Sequence, residues 1–267
     1  MLDFQEGEFI YINKPYGMSS FGALAHIRFV VSKRLGIKRV KIGHAGTLDP
    51  LATGVLILCT GKKTKMIESL QLHTKEYTTT LQFGATTDSY DMEHEVNQTY
   101  PKEHITRELV VEALKKFEGD IMQVPPVYSA CNVNGKRAYA LGREGVDVEL
   151  PAKQIHIDKI ELIDYNDELK QASIRVVCGK GTYIRSLARD IGEALNSGAY
   201  ITALCRTKLG NVSIDNCMTI DEFHEWFDKQ EIKPHDSVEQ TSQKHRKPRG
   251  KKVFGEAKVG SNPSEGV

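Results

Sequence analysis

A chain of 267 residues with 40% hydrophobic and 27% charged side chains has enough apolar material for a sizeable core. No apolar run approaches the roughly 20 residues of a membrane helix. Met1 to Glu8 is acidic and polar where a secretory leader would be basic and then apolar, so a cytosolic protein with no membrane span is expected. The net charge of +1 divides unevenly: Lys233 to Val267 holds eight Lys/Arg and four Asp/Glu, a net of +4, which leaves −3 for Met1 to Ile232. A nucleic-acid partner must then be held by local basic patches, not by the field of the whole molecule.

In chain order, Phe9 to Ile12 reads as a short strand and Lys14-Pro15-Tyr16-Gly17 as the turn after it. Ser19 or Ser20 is placed to cap a helix in which Phe21, Leu24, Ile27, Val31 and Leu35 recur at helical spacing. A glycine-rich loop from Gly43 to Gly54 follows, and then the apolar run Val55 to Leu58, read as a buried strand. Tyr77 to Phe83 alternates like a strand, and Val110, Ala113, Leu114 and Phe117 mark one face of an amphipathic helix. After the break at Pro125-Pro126, Ile155 to Ile163 and Ser173 to Cys178 read as strands. Ile184, Leu187, Ala188, Ile191 and Leu195 define a helix stopped by Gly198, and Thr219 with Glu222 signals the capping box of a last short helix.

Beyond Lys233 apolar residues become rare, and Lys244, Arg246, Lys247, Arg249, Lys251 and Lys252 form a basic run without acids. Such a segment cannot bury enough surface to offset its ordering entropy, so residues 233–267 are expected to be a flexible basic tail and 1–232 a single folded domain. Strands and helices mix without a regular βαβ rhythm, which favours an α+β fold. The five cysteines are scattered with no CxxC pair and read as buried free thiols, which leaves no structural zinc site expected.

The most informative stretch is Gly43-His44-Ala45-Gly46-Thr47-Leu48-Asp49-Pro50-Leu51-Ala52-Thr53-Gly54. Its glycines let the backbone turn sharply and approach a ligand, and Pro50 restricts Asp49 to extended conformations. It is not a phosphate-binding P-loop, because no Lys-Ser/Thr pair stands at the required spacing. Taken alone, an aspartate in such a loop is most often a helix cap or a turn residue.

The whole segment from Gly43 to Leu56, however, resembles the GHxGxLDPxATGxL motif of the TruB family of pseudouridine synthases. Lys14 to Ser20 is similar to that family's first motif, and Lys75-Glu76-Tyr77 with Phe83-Gly84 to the strand that carries its active-site tyrosine. Gln123 to Ala130, with Gly135 to Tyr139 after it, resembles the central segment, and Gly179 to Leu187 the third motif. Two positions depart from the pattern: Cys205-Arg206 stands where two arginines are common, and Asn132 where a lysine often stands.

The resemblance implies a pseudouridine synthase fold, a mixed and mostly antiparallel central sheet flanked by helices and loops. It also implies isomerisation of a flipped-out uridine, position 55 in the TΨC arm of tRNA. The reaction calls for no metal or cofactor; with no recognisable C-terminal recognition domain a stand-alone enzyme without a protein partner is expected, and with nothing to suggest an obligate dimer, a monomer. In this reading Asp49 is the nucleophile, or the base that starts a glycal route, and Arg185 keeps it ionised and oriented against the desolvation that would protonate it. Tyr77 stacks on the uracil, and Tyr183 and Leu204 wall the pocket. His44 occupies the space the base vacates or braces the displaced RNA loop, and Lys14 supports the site's architecture. Other readings are a non-catalytic RNA-binding factor on the same scaffold, a guide-RNA-dependent synthase, and a synthase for another RNA such as ribosomal RNA. The basic run from Lys244 to Lys252 is expected to contact tRNA phosphates, or else to serve only solubility.

Overall fold

The computed structural model describes residues 1–129, 131–133, 135–138 and 150–236. Alternation of buried and half-buried residues makes Phe9–Lys14 a strand (β1), with Ile10 and Ile12 turned into the core. Ser19 caps the helix Ser20–Leu35 (α1) by accepting from the Gly22 N–H, and Gly36, at φ 65°, ends it in a left-handed conformation. Ala23, Leu24, Ile27, Val31 and Leu35 form its buried face. Phe21, which the sequence places in that stripe, points outward instead and is 65% exposed.

The strands that follow are β2 (Ile42–His44), β3 (Ala52–Thr60), β4 (Lys75–Phe83), β5 (Ala85–Thr87), β6 (Val96–Thr99), β7 (Gly119–Gln123), β8 (Asn132–Val133) and β9 (Lys136–Arg137). Then come β10 (Lys153–Asn166), β11 (Gln171–Cys178), β12 (Ala199–Leu209) and β13 (Val212–Ser213). Among the described residues the remaining α-helices are α2 (Ile67–Leu72), α3 (Arg107–Lys115), α4 (Ile184–Ala194) and α5 (Ile220–Asp228), the last closed at its start by the Thr219–Glu222 capping box. Among the described residues no helix is long and apolar enough to cross a membrane.

The main sheet runs β1-β3-β12-β4-β11-β10-β7, with β2 added to β3 and β13 to β12. Every pairing is antiparallel except β12 with β3. The expected mixed, mostly antiparallel sheet of an α+β fold is therefore what forms. The apolar run in β3 is buried on both faces. Leu56 and Leu58 pack with α1 and α5, while Val55, Ile57 and Cys59 pack with Ala45 and Leu209. A larger cluster joins β4, β10, β11 and β12 to α3 and α4.

Three expectations change. The glycine-rich loop is shorter than Gly43 to Gly54, because its ends join β2 and β3 and only Ala45 to Leu51 turn. Gly198 does not terminate α4, which ends at Ala194; the left-handed residue is Asn196, at φ 51°. Gly198 is required for space, since a Cβ there would lie 2.6 Å from the Tyr100 ring. The central strand β12 is absent from the sequence reading, for reasons taken up below. The basic run Lys244 to Lys252 lies outside the described residues.

The parallel contact between β3 and β12 depends on Gly54, at φ +102°, where an added Cβ would meet the Arg206 carbonyl oxygen at 2.2 Å. Backbone blocks it on one side and conformational strain opposes it on the other. Gly54→Ala is expected to cost about 3 kcal/mol or more of stability, read as a lower urea midpoint at unchanged slope.

Candidate active site

The turn that carries Asp49 is fixed from both sides. The Ser20 hydroxyl accepts from the Leu48 N–H at 2.7 Å and donates to the Leu48 carbonyl at 2.9 Å. The Pro50 carbonyl accepts from the Gly17 N–H at 2.9 Å and from Lys14 Nζ at 3.3 Å, and the Ala52 N–H donates to the Asp49 carbonyl at 3.1 Å. Asp49 is thus presented by a rigid frame.

Its carboxylate meets a guanidinium. Arg185, in the first turn of α4 and 4% exposed, donates from Nε to Asp49 Oδ2 at 2.9 Å. Its two other nitrogens donate to the carbonyls of Ser89 at 3.0 Å and Tyr128 at 2.8 Å. A second carboxylate, Asp91, is buried beside it, with Oδ2 3.7 Å from Nε, and accepts from the Ser89 hydroxyl at 2.6 Å and the Glu93 N–H at 2.9 Å. The arginine therefore cannot swing away, while the Asp49 side chain stays 37% exposed toward the cavity.

That cavity, about 350 Å³, is bounded by Asp49, Tyr77, Tyr183, Arg185, Leu204 and Arg206, and it continues toward Lys75 and Lys180. Tyr77 stands in β4 opposite Arg206 of β12, so the two side chains share one face. Burial pushes the Tyr77 phenol above its ordinary value, and the Arg206 charge opposes that. Tyr183 precedes α4, with its backbone clasped by the Gln123 amide and its hydroxyl 3.2 Å from Cys131 Sγ. Burial and the Cys131 contact push its phenol up to about 12, so it is protonated at neutral pH.

Leu204 pairs with Ala52 in parallel and Thr79 in antiparallel register, at the point where β12 passes the Asp49 turn. Asp49, Tyr77, Arg185, Tyr183 and Leu204 are therefore brought together. Lys14 and His44 are not among the cavity walls. Lys14 is fully buried and donates to the carbonyls of Pro15, Met18 and Pro50, and burial lowers its ammonium to about 8 despite the attraction of Asp49. His44 lies half-buried in β2 opposite Leu58, and burial lowers its imidazole below the usual value.

Asp91 escapes sequence reasoning, and Arg206 enters it only as the arginine after Cys205, without a role in the site. Asp91 sits in a polar stretch that reads as surface loop. Arg206 is 1% exposed and donates to the carbonyls of Val55 at 2.8 Å and Gly46 at 3.1 Å, tying β12 to the Asp49 turn. Among the described residues no group of three or more His, Cys, Asp or Glu is placed to hold a metal ion.

Comparison with known proteins follows the same lines. Residues 33–184 match the family model described as TruB family pseudouridylate synthase (N terminal domain). Residues 185–240 match that of the tRNA pseudouridylate synthase B C-terminal domain. The division between the two models falls at the start of α4, inside one continuous sheet-and-helix unit.

The chain is 60% identical over 231 residues to tRNA pseudouridine synthase B of Phocaeicola vulgatus, covering 86% of this chain and 97% of that protein. It is 58% identical over 233 residues to the protein of the same name from Bacteroides thetaiotaomicron, with the same coverage. Among solved structures, a Cbf5-Nop10-Gar1 complex contains a chain matching with TM-score 0.61 and 25% identity over 84% of this chain. This chain spans 55% of that longer one. The fold is that of the pseudouridine synthases. Within them, the chain belongs to the TruB family of pseudouridylate synthases.

Proposed function

We propose that this protein converts a uridine of tRNA, position 55 in the TΨC arm, to pseudouridine, with Asp49 as the essential group. The observation that carries the reading is the Asp49 carboxylate, held at 2.9 Å by a buried Arg185 and opening into a cavity walled by Tyr77, Tyr183 and Leu204. A base inside folded RNA cannot reach this carboxylate, so the nucleotide is extruded. The N1–C1′ bond breaks, the base turns within the apolar and aromatic walls, C5 bonds to C1′, and the C5 proton is lost as N1 gains one. Asp49 serves either as the nucleophile at the sugar or as the base that starts a glycal route. The isomerisation is redox-neutral and transfers no phosphoryl group, and its chemistry calls for no metal.

Tyr77 stacks on the uracil and places its hydroxyl near C5; burial raises the phenol, so it orients the base as a hydrogen-bond donor and is not the acceptor of the C5 proton. Tyr77→Phe keeps the ring and loses the hydroxyl. Its turnover is expected to fall about 100-fold with little change in KM, in steady-state kinetics on a tRNA transcript. Lys14 and His44 act from outside the cavity walls: Lys14 braces the Pro50 carbonyl next to Asp49, and His44 fills the space the base vacates or braces the displaced RNA loop.

The relatives named for tRNA favour tRNA over ribosomal or guide-RNA-directed substrates. We take the protein to act as a cytoplasmic monomer without a protein partner, with residues 1–232 as the catalytic unit. The remainder supplies phosphate contacts. Removing residues 237–267 spares the Lys233 and Asp236 contacts to the N-terminal segment. That truncation should weaken tRNA binding and flatten its salt dependence; unchanged affinity and slope would remove the tail from RNA recognition.

The reaction itself is tested with a tRNA transcript tritiated at uridine C5. Release of one tritium per tRNA by the purified chain supports the reading, and no release at enzyme excess overturns it.

A further inference from the structure

Part of the cavity lining is cationic. Beyond Tyr77 and Arg206 the cavity is bounded by Lys75, Lys180, Gln71, Thr182 and the Gly179–Gly181 turn. Lys75 and Tyr77 are two residues apart in β4 and share a face, about 7 Å apart along the strand. Arg206 joins that face from β12, and the turn after β11 brings Lys180 over it.

Among the described residues none of these three cations is ion-paired with a carboxylate. Arg206 donates to the carbonyls of Val55 and Gly46, and Lys75 Nζ to that of Gln71. Lys75 is nevertheless buried, and burial together with the Arg206 and Lys180 charges lowers its ammonium. Three cations gathered around one opening, none with a carboxylate partner of its own, repel one another, at a cost that an anion between them would relieve.

We propose that the space between Lys75, Lys180 and Arg206 is a subsite for the phosphodiester that flanks the extruded uridine. The proposal rests on the synthase reading above and adds to it the anchor that fixes the nucleotide's sugar over Asp49. Stacking on Tyr77 leaves the base free to turn, whereas the sugar must stay put through both bond changes. A clamp on the adjoining phosphate supplies that restraint. Lys75 and Lys180 act here as point charges, and Arg206, already committed to two carbonyls, supplies field more than new hydrogen bonds.

The test uses TΨC stem-loop RNAs carrying a single neutral methylphosphonate linkage on the 5′ or the 3′ side of the target uridine. The parent chain is expected to bind one of the two about 10-fold more weakly than the all-phosphate RNA. Lys75→Gln and Lys180→Gln should each lose about 10-fold for the all-phosphate RNA and reduce the salt slope by about 0.7. Each variant should discriminate between the neutral and the native RNA less than the parent does, because one lysine and Arg206 remain. Lys180 is exposed, so its variant remains informative if Lys75→Gln does not fold. A parent that binds both neutral RNAs as tightly as the native one, or variants that keep the full discrimination, overturn the subsite. Conversion of the all-phosphate stem-loop by the parent is measured alongside. Conversion without discrimination removes the subsite alone, whereas no conversion removes the synthase reading with it.

Discussion

Asp49→Asn is expected to lower turnover on a tRNA transcript by at least about 10,000-fold while leaving the fold and tRNA binding nearly unchanged. The amide has the shape of the carboxylate and keeps an oxygen for Arg185 Nε, now 2.9 Å from Oδ2. It has neither the negative charge nor the basicity that attack on the sugar or removal of its proton requires. Arg185 would not be left uncompensated, because Asp91 lies 3.7 Å from the same nitrogen. Since the Asp49 side chain is 37% exposed, its charge contributes within about 1 kcal/mol of stability. Single-turnover kinetics with a parallel binding titration separate the two effects. A variant that keeps a tenth of the parental rate would remove Asp49 from the chemistry.

Arg185 is expected to show the second large effect, and its variants should fail in two different ways. Arg185→Met strips the partner from buried Asp91 and from the carbonyls of Ser89 and Tyr128 as well as from Asp49. Such a loss leaves an uncompensated buried carboxylate and should cost about 3–5 kcal/mol in urea unfolding. Arg185→Lys keeps the charge, yet one ammonium cannot serve an aspartate and two carbonyls placed around a planar fork. It should fold, lose about 1 kcal/mol or more, and turn over about 1,000-fold more slowly, because Asp49 is no longer aimed. Parental turnover by Arg185→Lys would show that charge alone, without the fixed geometry, is what the site uses.

The elements that periodicity and capping could specify are those the sequence makes legible. Ser19 and the Thr219–Glu222 box begin helices where expected, and strict alternation marks β4 and β11. β12 is illegible for a physical reason. Its pairing with β4 shifts register between Ile201 and Ala203 and again between Arg206 and Lys208. Each shift breaks the alternation by which a strand is recognised.

The site divides the same way. Asp49, Tyr77 and Arg185 are visible through motif resemblance; without it, Asp49 is a turn residue and Arg185 a solvated helix residue. Arg206 looks like any surface cation in sequence, because the carbonyls that satisfy it belong to Gly46 and Val55, more than 150 positions earlier. Asp91 is hidden among polar neighbours, and only the folded chain places it beside Arg185. Burial of a charge is a property of distant partners, which local sequence does not record.

The most direct measurement is single-nucleotide mapping of pseudouridine in an unmodified tRNA transcript after incubation with the parent chain or with Asp49→Asn. An essential Asp49 carboxylate requires one new pseudouridine, at position 55 in the TΨC arm, with the parent chain, and none with Asp49→Asn. Modification by both proteins, or by neither, would contradict it.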